Sequence, residues 1–472
     1  MGGPMNSENI VFVMLDTVRA DFLSPYGGEA RTSNLDRLAR NGTRYDMAIS
    51  PGTYTLPSHL SIFTGKRVRS IPWLNGTGMR FSDMKTDPLL RKSRYESNDL
   101  TIASIMEYFG YRSALFSNNP FVSEPTGLAK GFSHVSNIFI DNKLDSGRTS
   151  VKAVLRLIQS DFARKNLIRL AYGMSSVIPE EKLDEMYLGL RRRLNRHFSV
   201  EYGYYSLDKG ASETNRRLDA YLKSDSSKRN FIFINYMEGH EGYPTNLVTR
   251  NYVEQDKWLH MIGEAGEDDL KATKDAYRKR IEYLDAKIGD AIGIMKRRGL
   301  LDDATLIISS DHGQAFMEHG EMFHNVFPYN EVARVPLIVS EFKSGRQVRE
   351  GRVIERPFSL TDLNGMMAGR LAAKAGKPVV SDHTGITEVW DTYLLRLFKR
   401  RSKNAGMIYR KKAEQDSPAT AVYHEGYKLI HYYGKRMDEL YCVSDDKEEA
   451  NNIIHEERGM AYKLLACSKS AS

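Results

Sequence analysis

Five short apolar runs rich in β-branched and aromatic residues recur along the chain: Ile10 to Leu15, Arg112 to Phe116, Phe231 to Tyr236, Thr305 to Ser309 and Val335 to Val339. Longer stretches with helical periodicity separate them. This alternation predicts parallel strands buried on both faces and joined by crossover helices, an α/β fold. Polar residues follow three of the runs: Asp16 after the first, Glu238 and His240 after the third, Asp311 and His312 after the fourth. Ligands of open α/β sheets bind beyond the carboxyl ends of the strands, so these residues are expected to converge although they lie far apart in sequence.

A second stretch supplies a hydroxyl. In P-G-T-Y-T-L-P-S-H-L-S-I-F-T-G, from Pro51 to Gly65, Thr55 stands two residues before a proline able to open a helix. A helix start presents unpaired N–H groups to an anion, and a hydroxyl held there is placed to attack a phosphate or sulfate ester. The same pattern also describes an ordinary helix cap. Asp16, Asp311 and His312, with Thr55, make an oxygen-rich donor set for one divalent cation, Mn²⁺, Zn²⁺, Mg²⁺ or Ca²⁺. Asp-His pairs equally cap helices and form salt bridges, and the residues alone leave both readings open.

Composition narrows the class. The two cysteines, Cys442 and Cys467, argue against a disulfide framework and a thiolate metal site. The apolar run at Ile10 to Leu15 is too short for a signal-peptide core or a spanning helix, so a cytoplasmic protein is expected. A net charge of +8 over 472 residues suits an anionic ligand or membrane surface, and no aromatic-interleaved basic motif points to nucleic acid.

These segments together resemble the sulfatase family of the alkaline phosphatase superfamily. N-I-V-F-V-M-L-D-T-V-R-A-D from Asn9 is similar to its first strand and metal aspartate, and T-L-P-S-H-L-S-I-F-T-G-K from Thr55 to its nucleophile helix. N-Y-M-E-G-H from Asn235 resembles the strand bearing a substrate histidine; Y-L-D-A-K-I-G from Tyr283 and S-S-D-H-G-Q-A-F-M-E-H-G from Ser309 resemble the long helix and second metal strand. E-V-A-R-V-P-L-I-V from Glu331 and E-L-Y-C-V-S-D-D-K-E-E-A-N-N from Glu439 resemble later landmarks. The resemblance implies an alkaline-phosphatase-like large mixed, mostly parallel sheet flanked by helices, with a smaller C-terminal antiparallel sheet. It also implies Asp16, Thr55, Asp311 and His312 on the metal, Thr55 as nucleophile, and His240 on the transferred or leaving group.

Departures from the family pattern shape the expected chemistry. Thr55 replaces the Cys or Ser that is oxidised to formylglycine, His59 replaces the following arginine, and Thr17 replaces a second metal aspartate. A secondary alcohol cannot become an aldehyde hydrate, and the threonine-bearing relatives act on phosphate. The usual Gly-Lys-x-His is absent, leaving Asn118 and Asn119 there. His59, Lys66, Asn118, Asn119 and His324 are the candidate substrate contacts; Arg19 is read either as an anion neutraliser or as a packing residue. Glu238, His240, His319 and His324 are available to a second ion, but their spacing favours one metal.

The expected activity is metal-dependent hydrolysis or transfer of phosphate esters or diesters. The alternatives are a sulfuric ester hydrolase using unmodified threonine and a catalytically silent metal-binding scaffold. Residues 8–345 are expected to form the catalytic domain and 351–472 a small C-terminal subdomain. A basic helical insertion over about 140–200 reads either as a lid or as a peripheral contact with an anionic membrane or polymer. The stripe Ile288, Ile292 and Met295, on a helix from Asp285 to Leu301, is expected to face the core. Val422 to Tyr433 reads as one half-buried strand turning at Gly434 to Arg436, and Leu394 to Lys412 as an exposed excursion.

Overall fold

A computed structural model describes residues 9–71, 100–138, 207–224, 229–241, 267–373, 384–389 and 418–470, apart from 125, 325, 326, 349 and 435. The basic stretch at 140–200 and the segment 394–412 lie outside the described residues. The large sheet contains β1 (Asn9–Leu15), β2 (Thr43–Ile49), β3 (Arg112–Ser117), β4 (His134–Asn137), β5 (Asn230–Tyr236) and β6 (Asp303–Ser310). A two-stranded hairpin follows, β7 (Ala315–Phe316) and β8 (Met322–Phe323), and then β9 (Arg334–Lys343), β10 (Arg346–Gln347), β11 (Arg352–Ile354) and β12 (Phe358–Ser359) return to the large sheet. Its order is β11-β2-β9-β6-β1-β5-β3-β4, with β10 paired to β9 and β12 to β2. The sheet thus draws edge strands from beyond residue 351.

The central strands β6, β1, β5, β3 and β4 are parallel neighbours. Strand β9, expected among the parallel set, instead runs antiparallel to both β6 and β2. The cause is its connection: the described residues of 311–333 contain the small hairpin, a 3₁₀ turn at Glu318–Gly320 and a short α-helix at Asn330–Ala333, with no crossover helix among them to carry the chain back to the opposite edge. The chain therefore re-enters the sheet from the edge at which it left.

Alternation along β1 sends Val11, Val13 and Leu15 to one face and Ile10, Phe12 and Met14 to the other, all buried. The first face is covered by Leu218 on the helix Ala211–Ser224 and by Ile281, Leu284, Ile288, Ile292 and Met295 on the helix Glu267–Arg297. That second helix begins well before the expected Asp285 and stops at Arg297, where Gly299 takes a left-handed φ of 73°. The opposite face is covered by Leu60, Ile62 and Phe63 of the helix Thr55–Thr64 and by Ile102 and Met106 of the helix Ile102–Tyr108. These four helices are called, in chain order, α1 (Thr55–Thr64), α2 (Ile102–Tyr108), α3 (Ala211–Ser224) and α4 (Glu267–Arg297).

A second sheet of four antiparallel strands has the order β13 (Gly385–Val389), β14 (Ala419–His424), β15 (Tyr427–Tyr432), β16 (Glu439–Tyr441). The single strand expected over Val422 to Tyr433 is a hairpin: Glu425 and Gly426 have φ of 50° and 80° and reverse the chain between β14 and β15. Leu464, on the C-terminal helix α5 (Arg458–Ser470), packs on one side of this sheet. Its other side meets Ile49, Phe327, Tyr329 and Ala333 of the large unit. No helix among the described residues is long and apolar enough to cross a membrane.

Candidate active site

The register of the central strands builds the site. Leu15 lies opposite Tyr236 on one side and Ser310 on the other, so the residues that follow all three strands leave the sheet at one edge. Asp16 N donates to the Tyr236 carbonyl at 2.8 Å, and Thr17 N donates to Asp311 Oδ1 at 3.1 Å. Thr17 has a φ of 63°, uncommon for a residue with a β-branched side chain, and its hydroxyl donates to Asp16 Oδ1 at 2.7 Å. Tyr277 Oη donates to the Thr17 carbonyl at 2.7 Å and accepts from Arg19 N at 2.9 Å, which holds this turn from the α4 side. A side chain at Gly239 would put its Cβ 2.6 Å from the Asp16 carbonyl, so the turn after β5 approaches β1 as only glycine allows.

Asp16, Asp311 and His312 are completely buried, and each offers a ligand atom within 4.8 Å of the other two. Asp311 Oδ2 and His312 Nε2 are 3.5 Å apart, and neither has a hydrogen-bond partner among the described residues. Burial, and then the neighbouring Asp16 carboxylate, push Asp311 well above the usual carboxylate range. Burial also raises Asp16, but the facing His240 and His312 rings outweigh it and hold Asp16 below its ordinary value. Two buried carboxylates and an imidazole, with Asp311 Oδ2 and His312 Nε2 unpartnered among the described residues and an Asp16 oxygen within reach of both, are the chemistry of a hard divalent cation site, so the residues fit the expected metal.

Thr55 is the first residue of α1 rather than its cap, because the helix starts two residues before Pro57 with Tyr54 as N-cap. It is 5% exposed. His59, one turn further along, places Nδ1 2.9 Å from the Thr55 carbonyl oxygen and 3.5 Å from Asp311 Oδ2, which brings the start of α1 against the carboxylates. A carbonyl can only accept, so Nδ1 carries the proton. Burial pushes the imidazole down to about 4, keeping it neutral.

A second group stands beside the first. The His312 and His324 rings are 4.4 Å apart between centroids, and His324 is 5.3 Å from His240. His240 Nδ1 lies 3.0 Å from Glu241 Oε2, and His324 Nδ1 lies 3.0 Å from Gln314 Oε1. Burial lowers His240, but the Glu241 carboxylate outweighs it and raises the imidazole above its usual value; burial pushes His324 down to about 3.

The remaining candidates divide. Asn119 joins the carboxylates, its Nδ2 donating to Asp16 Oδ2 at 2.6 Å. Asn118 faces the start of α3 and donates to the Lys209 carbonyl at 3.1 Å. Lys66 is exposed beyond the far end of α1, about 15 Å of helix from Thr55, so it does not join the site. Arg19 is 6% exposed and held by Asp21 at 2.6 Å and Glu318 at 2.9 Å, so its charge is engaged inside the protein. His319 is stacked on Tyr329, with ring centroids 3.9 Å apart, near the second sheet.

Two residues that the sequence did not single out complete the site. Glu241 had a signal, its adjacency to His240. Lys209 had none: its Nζ donates to the carbonyl oxygens of both His240 and Glu241 at 2.6 Å, and its backbone N–H donates to Glu238 Oε1 at 2.9 Å.

Sheet and site together define an α/β protein with a buried cluster of carboxylates and imidazoles at one edge of its central sheet. A sequence model of the sulfatase family matches residues 8–368. The chain belongs to the sulfatase family. The N-acetylglucosamine-6-O-sulfatase of Bacteroides thetaiotaomicron is 24% identical over 94% of this chain and 82% of its own length. An arylsulfatase of Clostridium perfringens is 24% identical over 75% of this chain and 73% of its own. Among solved structures, the phosphonate monoester hydrolase of Agrobacterium radiobacter is 17% identical and superposes with a TM-score of 0.62 over 98% of this chain and 95% of that one.

Proposed function

We propose that this sulfatase-family hydrolase acts on phosphate esters or diesters with Thr55 as the nucleophile. The observation that carries the assignment is Thr55 itself: an unmodified secondary alcohol at the first residue of a buried helix, one turn from a histidine that touches Asp311. Asp16, Asp311 and His312, with the Thr55 hydroxyl, would hold one divalent cation. When bound, it supplies positive charge that favours the alkoxide form of the threonine and offsets the charge of the ester oxygens.

The chain's own groups account for the rest. The start of α1 directs its positive end toward an incoming anion. Thr55 Oγ1 bonds to phosphorus as its proton passes to solvent and the bond from phosphorus to the departing alkoxide breaks. His240, kept basic by Glu241, gives a proton to that alkoxide. Water then attacks the phospho-threonine, restoring the hydroxyl, while a second alcohol in place of water would make the reaction a transfer.

A sulfuric ester hydrolase using the same threonine is favoured by the names of the curated relatives, which are sulfatases. Turnover of 4-nitrophenyl phosphate, bis(4-nitrophenyl) phosphate and 4-nitrophenyl sulfate with added Mn²⁺, Zn²⁺ or Ca²⁺ separates the two. A phosphate monoester or diester is expected to be the best substrate, and sulfate as the best would overturn the proposal. Thr55→Ala is expected to lower turnover by about a thousandfold or more; unchanged turnover would remove Thr55 as nucleophile.

A further inference from the structure

The nucleophile helix is gripped at both ends by one strand of the C-terminal sheet. Where the chain approaches α1, Thr387 Oγ1 donates to the Ser50 carbonyl at 2.5 Å, and Glu388 N donates to the Pro51 carbonyl at 2.9 Å. A β-bridge pairs Gly52 with Glu388. This loop lies directly on the first turn of α1: a Cβ on Gly52 would stand 3.0 Å from Ser58 Oγ and 3.1 Å from Ser58 N. Ser50 Oγ ties the same loop to the metal side, donating to the Asp311 carbonyl and lying 3.2 Å from Ser58 Oγ.

Where the chain leaves α1, past Gly65, the side chain of the same Glu388 takes over. Its carboxylate is 1% exposed and accepts from Arg67 Nη2 at 2.5 Å and from Arg69 N at 2.8 Å. Arg67 Nη1 and Arg69 Nη2 continue to the Ser468 carbonyl, the latter at 3.0 Å, in the last turn of α5, where the negative end of the helix favours cations. The backbone of Glu388 therefore fixes the entry to α1 and its side chain fixes the exit. Thr55 lies between the two on a rigid helix, and a shift of α1 along its axis moves the hydroxyl relative to Asp311.

We infer that Glu388 is a positioning residue for Thr55, and that the C-terminal sheet is thereby a working part of the catalytic apparatus as well as a packing unit. The inference rests on Thr55 being the nucleophile. A bidentate, charge-assisted contact sets distance more sharply than apolar packing does, and a misplacement of about 1 Å at a reacting atom lowers rates by up to about a hundredfold.

The test measures kcat and KM separately for bis(4-nitrophenyl) phosphate at saturating Mn²⁺ in Glu388→Gln, Glu388→Asp and Thr387→Val, with Thr55→Ala in parallel and the folded fraction of each measured at the assay temperature. Glu388→Gln is expected to lower kcat about tenfold while KM stays within about twofold in fully folded protein, with partial recovery in Glu388→Asp. Thr387→Val, which removes one hydroxyl and leaves the ion pairs, is expected to lower kcat by about threefold at unchanged KM, and it decides the matter if Glu388→Gln does not fold. Wild-type kcat in folded Glu388→Gln, or in Thr387→Val where the former does not fold, overturns the inference, as does a loss of kcat that follows the unfolded fraction alone. Turnover surviving in Thr55→Ala refutes the nucleophile itself; an inactive Thr55→Ala beside an unaffected Glu388→Gln refutes only the positioning role.

Discussion

His59 Nδ1 lies 3.5 Å from Asp311 Oδ2 while donating to the Thr55 carbonyl, so one neutral ring spans the gap between the start of α1 and a carboxylate of the candidate metal site. The ring is fully buried and stands edge-on to Phe63 and Phe233, with centroids 5.8 and 6.0 Å away. His59 thus does two separable things, filling a core position and tying the start of α1 to β6.

Substitution separates them. His59→Ala removes both and is expected to destabilise the fold by about 3 kcal/mol, the range for deleting a buried ring. His59→Phe keeps the volume but loses the hydrogen bond, leaving the Thr55 carbonyl with one partner fewer, and is expected to cost about 1 kcal/mol. Urea denaturation of the two variants checks the order. Equal losses would show that the ring's volume contributes nothing beyond its hydrogen bond, and an unaffected His59→Phe would show that the ring matters only as volume.

Metal removal has an expected sign. Asp16 and Asp311 are buried side by side, so a bound divalent cation stabilises the native state by about 2.7 kcal/mol when its free concentration is roughly a hundred times its Kd. EDTA should therefore lower the melting temperature of the wild type. Asp16→Asn removes one of the facing carboxylates and a ligand together, so its melting temperature is expected to shift less between EDTA and excess Mn²⁺. Thermal unfolding of both proteins in the two conditions measures this, and equal shifts would place the cation elsewhere.

What could be read from sequence was governed by locality. The runs at β1, β5 and β6 are dense enough in β-branched residues to announce strands, and parallel neighbours in register necessarily deliver Asp16, His240 and Asp311 to one edge. The direction of β9 was hidden because it depends on what the connecting segment does not contain. The hairpin at Glu425 and Gly426 was hidden because aromatic alternation continues across the turn. Lys66 follows the Thr55 segment closely in sequence, yet a rigid helix carries it away from Thr55. The grip of Thr387 on Ser50 joins residues 337 positions apart, and the contact of Lys209 with the turn after β5 spans 31, so no local pattern encodes either.

Beneath that turn, Glu238 is fully buried, its Oε1 accepting from Lys209 N and Ala211 N at the start of α3, both at 2.9 Å. Burial, and then the Asp208 carboxylate, push it up to about 7 against an ordinary value of 4.5. Between those two values the native state holds a proton that the unfolded chain has released. The contribution of Glu238 to stability is therefore fully present below about pH 4.5 and is lost as the pH rises through about 7, for a total on the order of 3 kcal/mol. Glu238→Gln keeps an acceptor for both N–H groups and cannot ionise. Its stability relative to the wild type is expected to be near zero at pH 4.5 and to climb in its favour towards pH 8, because the titrations the two proteins share cancel in the difference. Urea denaturation of the pair across this range at fixed Mn²⁺ provides the measurement. Parallel curves would mean that Glu238 is already ionised in the native protein near pH 4.5, and that the N–H groups at the start of α3 outweigh its burial.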